Sequence, residues 1–188
     1  MGDSWDDCAA TWDENVSVQE YAGKAFQTLG DHLDLSSVRS VLDFGCGTGL
    51  LTDKMAASCT RIVAIDASKA MVEVLNGKGY QNVTTVGDFL TEELIASNPC
   101  FHEKFDLIVA SSVCSFLPNY EQIVALLKTL LIPGGRFVQW DWLSEEFSKE
   151  RVEGVLSAAK FTNVETSQPF DMEMEGTKMQ VVMGVGTA

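Results

Sequence analysis

A glycine-rich segment that directly follows a short apolar run limits the possible folds of this chain more than any other feature. Residues 41–49 read Val-Leu-Asp-Phe-Gly-Cys-Gly-Thr-Gly, and the next apolar run, residues 61–65, is followed by Asp66. The first run has the composition of a buried strand, and the alternate glycines allow the backbone to turn tightly against a ligand. A carboxylate at the end of the next strand can accept hydrogen bonds from both hydroxyls of a ribose. The pattern therefore predicts a pocket for a ligand that carries a ribosyl group.

The residues around the glycines distinguish two kinds of ribosyl cofactor. Gly-x-Gly-x-x-Gly followed by an acid about 20 residues later is the dinucleotide fingerprint, but Leu50 stands where its third glycine belongs. Asp43, just before the glycines, would repel a pyrophosphate and attract a ligand with an ammonium and a sulfonium group. S-adenosylmethionine is such a ligand, and the segment favours it over a dinucleotide.

Five segments resemble, in order, the motifs of the class I S-adenosylmethionine-dependent methyltransferases. The segment 41–49 resembles the first motif, and the later matches are Ile62–Ser68 (ribose-binding acid), Val86–Phe89 (adenine contact), Phe105–Ser111 (fourth strand) and Leu131–Phe137 (turn into the fifth strand). They cover roughly residues 40 to 140. The resemblance implies S-adenosylmethionine as cofactor, S-adenosylhomocysteine as product and transfer of a methyl group.

Alternating apolar runs and amphipathic segments predict an α/β fold with a Rossmann-like, doubly wound sheet and helices on both faces. Seven strands are expected, mostly parallel, and the last two should pair as an antiparallel C-terminal hairpin because too few residues separate them for a crossover helix. Strands are predicted at 39–44, 61–66, 82–86, 105–110, 135–142, 163–168 and 178–186, and helices at 49–58, 68–76, 91–97, 120–131 and 145–159. A further helix is predicted to begin at the capping-box sequence Ser17-Val-Gln-Glu20 and to end before Gly30.

The chain is expected to form one methyltransferase domain over residues 1–188. Residues 1–30 should form an N-terminal arm and helix that cover the cofactor, and residues 39–188 the Rossmann-like core.

The resemblance implies a set of residues that contact the cofactor. They are Trp12, Tyr21, Asp43, Gly45, Cys46, Gly47, Thr48, Gly49, Asp66, Ala67, Met71, Asp88, Phe89, Ala110 and Ser111. Three have open alternatives: Asp43 could hold the loop's own amides, Met71 could be ordinary core, and Trp12 could fasten an otherwise mobile arm.

Catalytic residues are harder to identify, because methyl transfer from a sulfonium needs alignment and exclusion of water more than a covalent intermediate. The segment Ser111–Pro118 departs from the Asn-Pro-Pro-Tyr motif of related enzymes that act on nitrogen. Asp141, at the end of the predicted fifth strand, is the candidate general base, and His102 is a second candidate. Trp140 and Trp142 are expected on opposite faces of the strand.

Composition bounds the partners and the surroundings of the chain. The formal net charge of −14 disfavours nucleic acid and anionic membrane surfaces. No apolar stretch approaches the roughly 18 residues that span a bilayer, so a soluble, cytoplasmic protein without membrane insertion is expected. The five cysteines and two histidines lack metal-ligand spacing, so no metal is expected. A small-molecule methyl acceptor and a monomer or homodimer are expected.

Two other functions stay open on these residues. One is a non-catalytic protein that binds S-adenosylmethionine, and the other is a nicotinamide-dependent oxidoreductase on a similar sheet.

Overall fold

The structure, a computed structural model, describes residues 5–174 and 176–188. The first four residues of the predicted N-terminal arm therefore lie outside the described residues. The helices are α1 (Val16–His32), α2 (Leu50–Met55), α3 (Lys69–Gly77), α4 (Glu92–Ser97), α5 (Tyr120–Thr129) and α6 (Lys149–Ala158). The strands are β1 (Ser40–Phe44), β2 (Arg61–Asp66), β3 (Val83–Gly87), β4 (Phe105–Ser111), β5 (Leu131–Trp142), β6 (Thr162–Ser167), β7 (Asp171–Met174) and β8 (Thr177–Thr187).

The strands form one sheet in the order β3-β2-β1-β4-β5-β8-β6, with β7 paired to β8. The first five strands are parallel, and β8 runs antiparallel to β5, β6 and β7. The chain order reverses between β1 and β4, and ligands of such sheets bind beyond the carboxyl ends of the strands at that point. The predicted fold class is confirmed.

The core has an apolar layer on each face of the sheet. Leu29 of α1 and Met55 of α2 pack with Val41 on one face, and Leu75 of α3 packs with Ala64 on that same side. On the other face, Leu127 and Leu156 pack with Leu42. Because alternate residues of a strand point to opposite faces, strands covered on both sides are mostly apolar.

The C-terminal strands differ from the prediction in one respect. The sheet has eight strands, because β7 lies in the stretch that was expected to connect the last two. The expected antiparallel pairing of β6 with β8 is present, for example at Glu165 and Val185, but the short connection joins β7 to β8.

The start of α1 also differs from the prediction. The helix begins at Val16, and the N-cap is Asn15, whose side chain accepts a hydrogen bond from the Ser17 amide at 3.0 Å. Ser17 is thus inside the helix, and the capping-box prediction is wrong because the preceding asparagine caps first.

None of the helices in the described part of the chain is long and apolar enough to cross a membrane.

Candidate functional site

The glycine loop after β1 lies at the carboxyl edge of the sheet, and all three of its glycines have left-handed backbone conformations. The φ angles are 71° at Gly45, 53° at Gly47 and 86° at Gly49. A Cβ at Gly45 would lie 2.5 Å from a methyl of Val113, and one at Gly49 would lie 2.3 Å from a methyl of Leu75. A Cβ at Gly47 would meet nothing within 4 Å. Gly45 and Gly49 therefore permit close packing, whereas Gly47 borders open space.

Asp66 joins the glycine loop to the helix that follows β2. One of its carboxylate oxygens accepts a hydrogen bond from the Gly47 amide at 2.8 Å, and the other accepts one from the Ser68 amide at 2.9 Å. Burial raises the pKa of Asp66 above its ordinary value, and the two amides oppose that shift. Each oxygen has accepted one hydrogen bond and can accept another, so the carboxylate retains the capacity to bind hydroxyl groups.

Asp43 is buried in β1 beneath the loop. Its Oδ2 accepts a hydrogen bond from the Thr52 hydroxyl at 2.6 Å, and its Oδ1 is buried without a hydrogen-bond partner among the described residues. Burial raises the pKa of Asp43 to about 7, with the Thr52 bond acting in the opposite direction. A cation near this oxygen would stabilise the charged form of the Asp43 carboxylate.

Two other loop residues turn their side chains away from open solvent. Cys46 is buried against Ala64, Val72 and Leu75, so that side chain belongs to the core. Thr48 is buried, and its hydroxyl donates a hydrogen bond to Asp13.

The residues predicted to contact an adenine divide between surface and core. Asp88 and Phe89 follow β3 at the same edge and are exposed, and the Asp88 carboxylate accepts a hydrogen bond from the Phe89 amide at 2.8 Å. Phe89 is 64% exposed, which leaves a large apolar surface at this edge of the sheet. Ala67 is half-buried next to Asp66, and Met71 is buried in α3.

The N-terminal arm, which we define as residues 5–15, is fastened to the site by hydrogen bonds and ion pairs. Asp13 accepts the Thr48 hydrogen bond and forms an ion pair with Lys78 at 2.9 Å. Lys78 also pairs with Asp53 of α2 at 2.7 Å, and the Ser68 hydroxyl donates to Asp6. The arm therefore covers the glycine loop and the start of α3.

An aromatic cluster continues this cover toward the loop after β4. Trp12 packs edge-on against Trp5, with ring centroids 5.5 Å apart, and Trp5 packs edge-on against Phe116 at 5.8 Å.

Tyr21 lies deeper, in α1. Its ring packs against Trp142 at 5.0 Å and Phe170 at 5.4 Å, and its hydroxyl is buried without a hydrogen-bond partner among the described residues. Burial, reinforced by the nearby Asp141 carboxylate, raises the pKa of Tyr21 well above its ordinary value.

Asp141 lies at the carboxyl end of β5 and is fully buried. Its Oδ1 accepts a hydrogen bond from the Ser115 amide at 3.0 Å, and its Oδ2 has no hydrogen-bond partner among the described residues. Burial raises the pKa of Asp141 to about 7, and the bonds from Ser115 oppose the shift. A carboxyl group with this pKa and a free oxygen can exchange a proton near neutral pH.

The surroundings of Asp141 correct one prediction. Trp140 and Trp142 pack in the same apolar layer, so they share a face of the sheet. Residues two apart in a strand point to the same side, and the expectation of opposite faces was wrong.

At the end of β4, the two residues predicted to contact the cofactor have side chains that are buried or half-buried, so they present mainly their backbone to the site. The Ala110 side chain is buried in the core, and Ser111 is half-buried and pairs in register with Trp140. His102 is exposed and precedes the amino end of β4, so the structure separates it from Asp141.

Several residues of the site carried no recognisable sequence signal. The folded chain brings Thr52, Asp13 and Lys78 to the loop or its neighbours. No local motif marks them. Ser68 alone had a local signal, since it is a serine directly before a helix, and its side chain accepts a hydrogen bond from the Met71 amide.

Within residues 5–174 and 176–188 no group of three or more His, Cys, Asp or Glu side chains could hold a metal ion.

Comparisons with known proteins bear on this geometry. A family model described as a methyltransferase domain matches residues 42–137, just over half of the chain. The chain is 29% identical over 122 residues to an uncharacterized methyltransferase of Schizosaccharomyces pombe, covering 63% of this chain and 45% of that protein. It is 31% identical over 104 residues to the ubiquinone biosynthesis O-methyltransferase of Actinobacillus pleuropneumoniae, covering 52% of this chain and 43% of that protein. The matches thus span less than half the length of these relatives.

A solved structure shows the same fold at lower identity. The N-methyltransferase NodS from Bradyrhizobium japonicum, in complex with S-adenosyl-L-homocysteine, matches with a TM-score of 0.69 and 20% identity. The match covers 99% of this chain and 97% of that one.

Proposed function

The chain belongs to the methyltransferase-domain family, and from this membership we propose that it transfers the methyl group of S-adenosylmethionine to a small-molecule acceptor. S-adenosylhomocysteine would be the product. Family membership favours this reaction over hydride transfer with a nicotinamide cofactor.

One observation carries the proposal: two differently placed carboxylates flank a glycine loop that borders open space. Asp66 can accept hydrogen bonds from ribose hydroxyls, because a carboxylate oxygen that accepts the Gly47 or the Ser68 amide keeps a further lone pair. The free, buried Oδ1 of Asp43 suits a ligand with an ammonium and a sulfonium and would repel a pyrophosphate. The residues present therefore fit S-adenosylmethionine better than a dinucleotide.

The other proposed contacts with the cofactor are made by residues at this same carboxyl edge of the sheet. We assign the loop Gly45–Gly49 to the amino-acid portion of the cofactor, Asp66 and Ala67 to the ribose, and Asp88, Phe89 and Met71 to the adenine. For Cys46 and Ala110 the backbone would make the contact, because both side chains are core. Ser111, Trp12 and Tyr21 would border the methyl group from β4 and from the arm.

The bound cofactor supplies an electrophilic methyl group on a sulfonium with a good leaving group. The chain's own contribution is alignment and exclusion of water, and the arm and its aromatic cluster lie where they would close the site. Asp141 would accept the proton of a hydroxyl or acidic-carbon acceptor, since it is buried, has a free oxygen and has a pKa of about 7.

We also propose the class of acceptor, the location and the oligomeric state of the protein. The net charge of −14 supports a small acceptor over a nucleic acid. We propose a cytoplasmic monomer or homodimer in which residues 1–30 cover the cofactor and residues 39–188 form the core.

Calorimetric titration with S-adenosylmethionine, S-adenosylhomocysteine and NAD tests the cofactor. We expect binding of the first two, and a loss of roughly 10- to 150-fold in affinity on Asp66→Ala, the equivalent of a hydrogen bond to a charged group. Glu103→Gln, at an exposed acid before β4, is the matched control and should bind normally. Binding of NAD alone, or of none of the three, would contradict the proposal.

A transfer assay separates an enzyme from a cofactor-binding protein. The chain is incubated with S-adenosylmethionine and pools of small phenols, acids and amines, and S-adenosylhomocysteine is measured. Acceptor-dependent product supports the enzyme. Tight binding with no product from any pool would favour the non-catalytic alternative.

A further inference from the structure

A cavity lies at the amino-terminal edge of the sheet, opposite the glycine loop. Its volume is about 320 Å³, at the lower end of the range for small-molecule sites, roughly 300–1,000 Å³. The apolar part of its wall comes from Leu33, Val38, Leu107 and Ile132. Ile132 is 37% exposed although it is a large apolar residue. The cavity is therefore open to solvent at Ile132. The methyl transfer proposed above assigns no role to it.

Arg136, which also lines this cavity, has no side-chain partner among the described residues. Its Nε is buried without a hydrogen-bond acceptor, and within the described residues its guanidinium takes part in no ion pair or hydrogen bond. A buried polar group left unpaired costs about 1–3 kcal/mol. The chain has 27 acidic residues, so the missing partner does not reflect a shortage of acids.

Asp106 also borders the cavity but is used elsewhere. Its Oδ2 accepts hydrogen bonds from the Arg39 amide at 2.9 Å and the Ser40 amide at 2.8 Å. The Arg39 and Ser40 amides lie at the start of β1, on one side of β4, whereas Arg136 lies on the other side, on β5, in register with Leu107. Asp106 fastens the start of β1 and forms no ion pair with Arg136 among the described residues, so the guanidinium stays available. The Asp106 carboxylate lines the same cavity and adds a repulsion that the guanidinium must outweigh for an anion to bind.

We propose that this cavity binds a small amphiphilic oxyanion. The carboxylate or phosphate group accepts hydrogen bonds from Arg136, whose planar guanidinium matches such groups. A short apolar body packs on Leu33, Val38, Leu107 and Ile132. The site is on the opposite edge from the glycine loop, so its occupancy does not compete with a ligand there.

The test uses the full chain and matched probes at constant ionic strength, followed by the amide NMR signals of Gly134 and Gly135. Hexanoate and hexyl phosphate carry the expected chemistry from two sources, and hexanamide has the same body without the charge. We expect saturable shifts with at least one anion, none with hexanamide, and at least a tenfold loss of affinity on Arg136→Gln. Arg39→Gln, at an exposed arginine of the same edge, should bind as the parent does.

Hexanamide binding equal to that of the anions, unchanged binding by Arg136→Gln, or no saturable shift with either anion would overturn the site. The unfolding midpoint of ligand-free Arg136→Met, which keeps an unbranched side chain without the polar Nε, gives an independent readout. It should equal or exceed that of the parent, because an unsatisfied buried group is removed. A lower midpoint would show that Arg136 holds the fold, and would also overturn the proposal.

Discussion

At the residue scale, Asp43 and Asp141 are two buried carboxyl groups with similar pKa values and different surroundings. Each has one hydrogen-bonded oxygen and one oxygen without a partner among the described residues. Asp43 lies beneath the glycine loop, where a bound cation would return it to the charged form. Asp141 lies at the carboxyl end of β5 beside the loop after β4, where an acceptor could give up a proton. From these different surroundings we propose that Asp43 serves binding and Asp141 serves proton transfer.

The pH dependence of methyl transfer tests the role of Asp141. Its pKa of about 7 means that the carboxyl is protonated below pH 7 and cannot act as a base. With an acceptor found by the transfer assay, we expect kcat/KM to fall about tenfold per pH unit below that value. Asp141→Asn should reduce the rate by roughly 10²- to 10⁴-fold and remove this dependence.

Asp141→Asn is a suitable variant because its side-chain oxygen can still accept the Ser115 amide. An unchanged cofactor affinity would show that the site is intact. If the variant kept the parent's rate and pH profile, Asp141 would not be the base.

At the scale of the element, the three alternate glycines of the loop have different roles: two allow close packing, and the third borders the space proposed for the ligand. Gly45→Ala and Gly49→Ala place a methyl 2.5 Å from Val113 and 2.3 Å from Leu75, and overpacking costs about 1–3 kcal/mol in addition to about 1–2 kcal/mol for the left-handed backbone. Gly47→Ala incurs the backbone term alone, because nothing lies within 4 Å. We expect urea unfolding to show larger losses of stability at positions 45 and 49 than at 47.

Cofactor affinity should show a different order. The methyl of Gly47→Ala projects into the space proposed for the ligand, so titration with S-adenosylmethionine should show weakened binding by a protein that is still folded. Gly23→Ala in α1, where a Cβ also meets nothing, is the control and should bind normally. Normal binding by Gly47→Ala would move the ligand away from the loop.

The N-terminal arm should loosen when its ion pair is removed. Asp13 bridges Thr48 and Lys78, and partly exposed pairs of this kind contribute about 0.2–1 kcal/mol. Asp13→Asn should therefore increase protease cleavage within residues 5–15 by about two- to fivefold, and added salt should increase the parent's cleavage by screening the pair. Glu14→Gln is the matched control. A salt-independent arm, equally resistant in Asp13→Asn, would show that aromatic packing alone holds it.

The elements differ in how far the sequence predicts them. β1, β2 and β4 follow from apolar runs, because strands buried on both faces are mostly apolar. The buried Asp43 interrupts only β1. β7 carries Asp171 and Glu173 and was missed, since its pairing depends on the protruding end of β8. The glycine loop and Asp66 were readable because their chemistry is local. The Asp13–Lys78 pair and the Arg136 side chain, which has no partner among the described residues, could not be predicted. Both depend on how distant parts of the chain come together.

At the scale of the whole molecule, the acidic surface and the buried carboxyl groups both lower the stability of the fold as pH rises. Burial raises the pKa of Asp43 and of Asp141 from 3.8 to about 7. An acid whose pKa is raised on folding binds its proton more tightly in the folded state, so its stabilising contribution is complete below pH 3.8 and is lost as pH rises through 7. The net charge of −14 at pH 7 adds repulsion that also weakens as pH falls toward the isoelectric point of about 4.4.

The ligand-free protein should therefore be more stable near pH 5.5 than at pH 8, with each of the two carboxyl groups contributing a slope of up to about 1.4 kcal/mol per pH unit below 7. Urea unfolding at fixed ionic strength measures this, because urea adds no charge. The double variant Asp43→Asn, Asp141→Asn should flatten the profile, whereas Glu103→Gln should leave it unchanged. Saturating S-adenosylmethionine should also reduce the slope, because its positive groups would hold Asp43 in the charged form. A profile that rises from pH 5.5 to 8 would show that neither carboxyl group is as deeply buried in solution as in the structure.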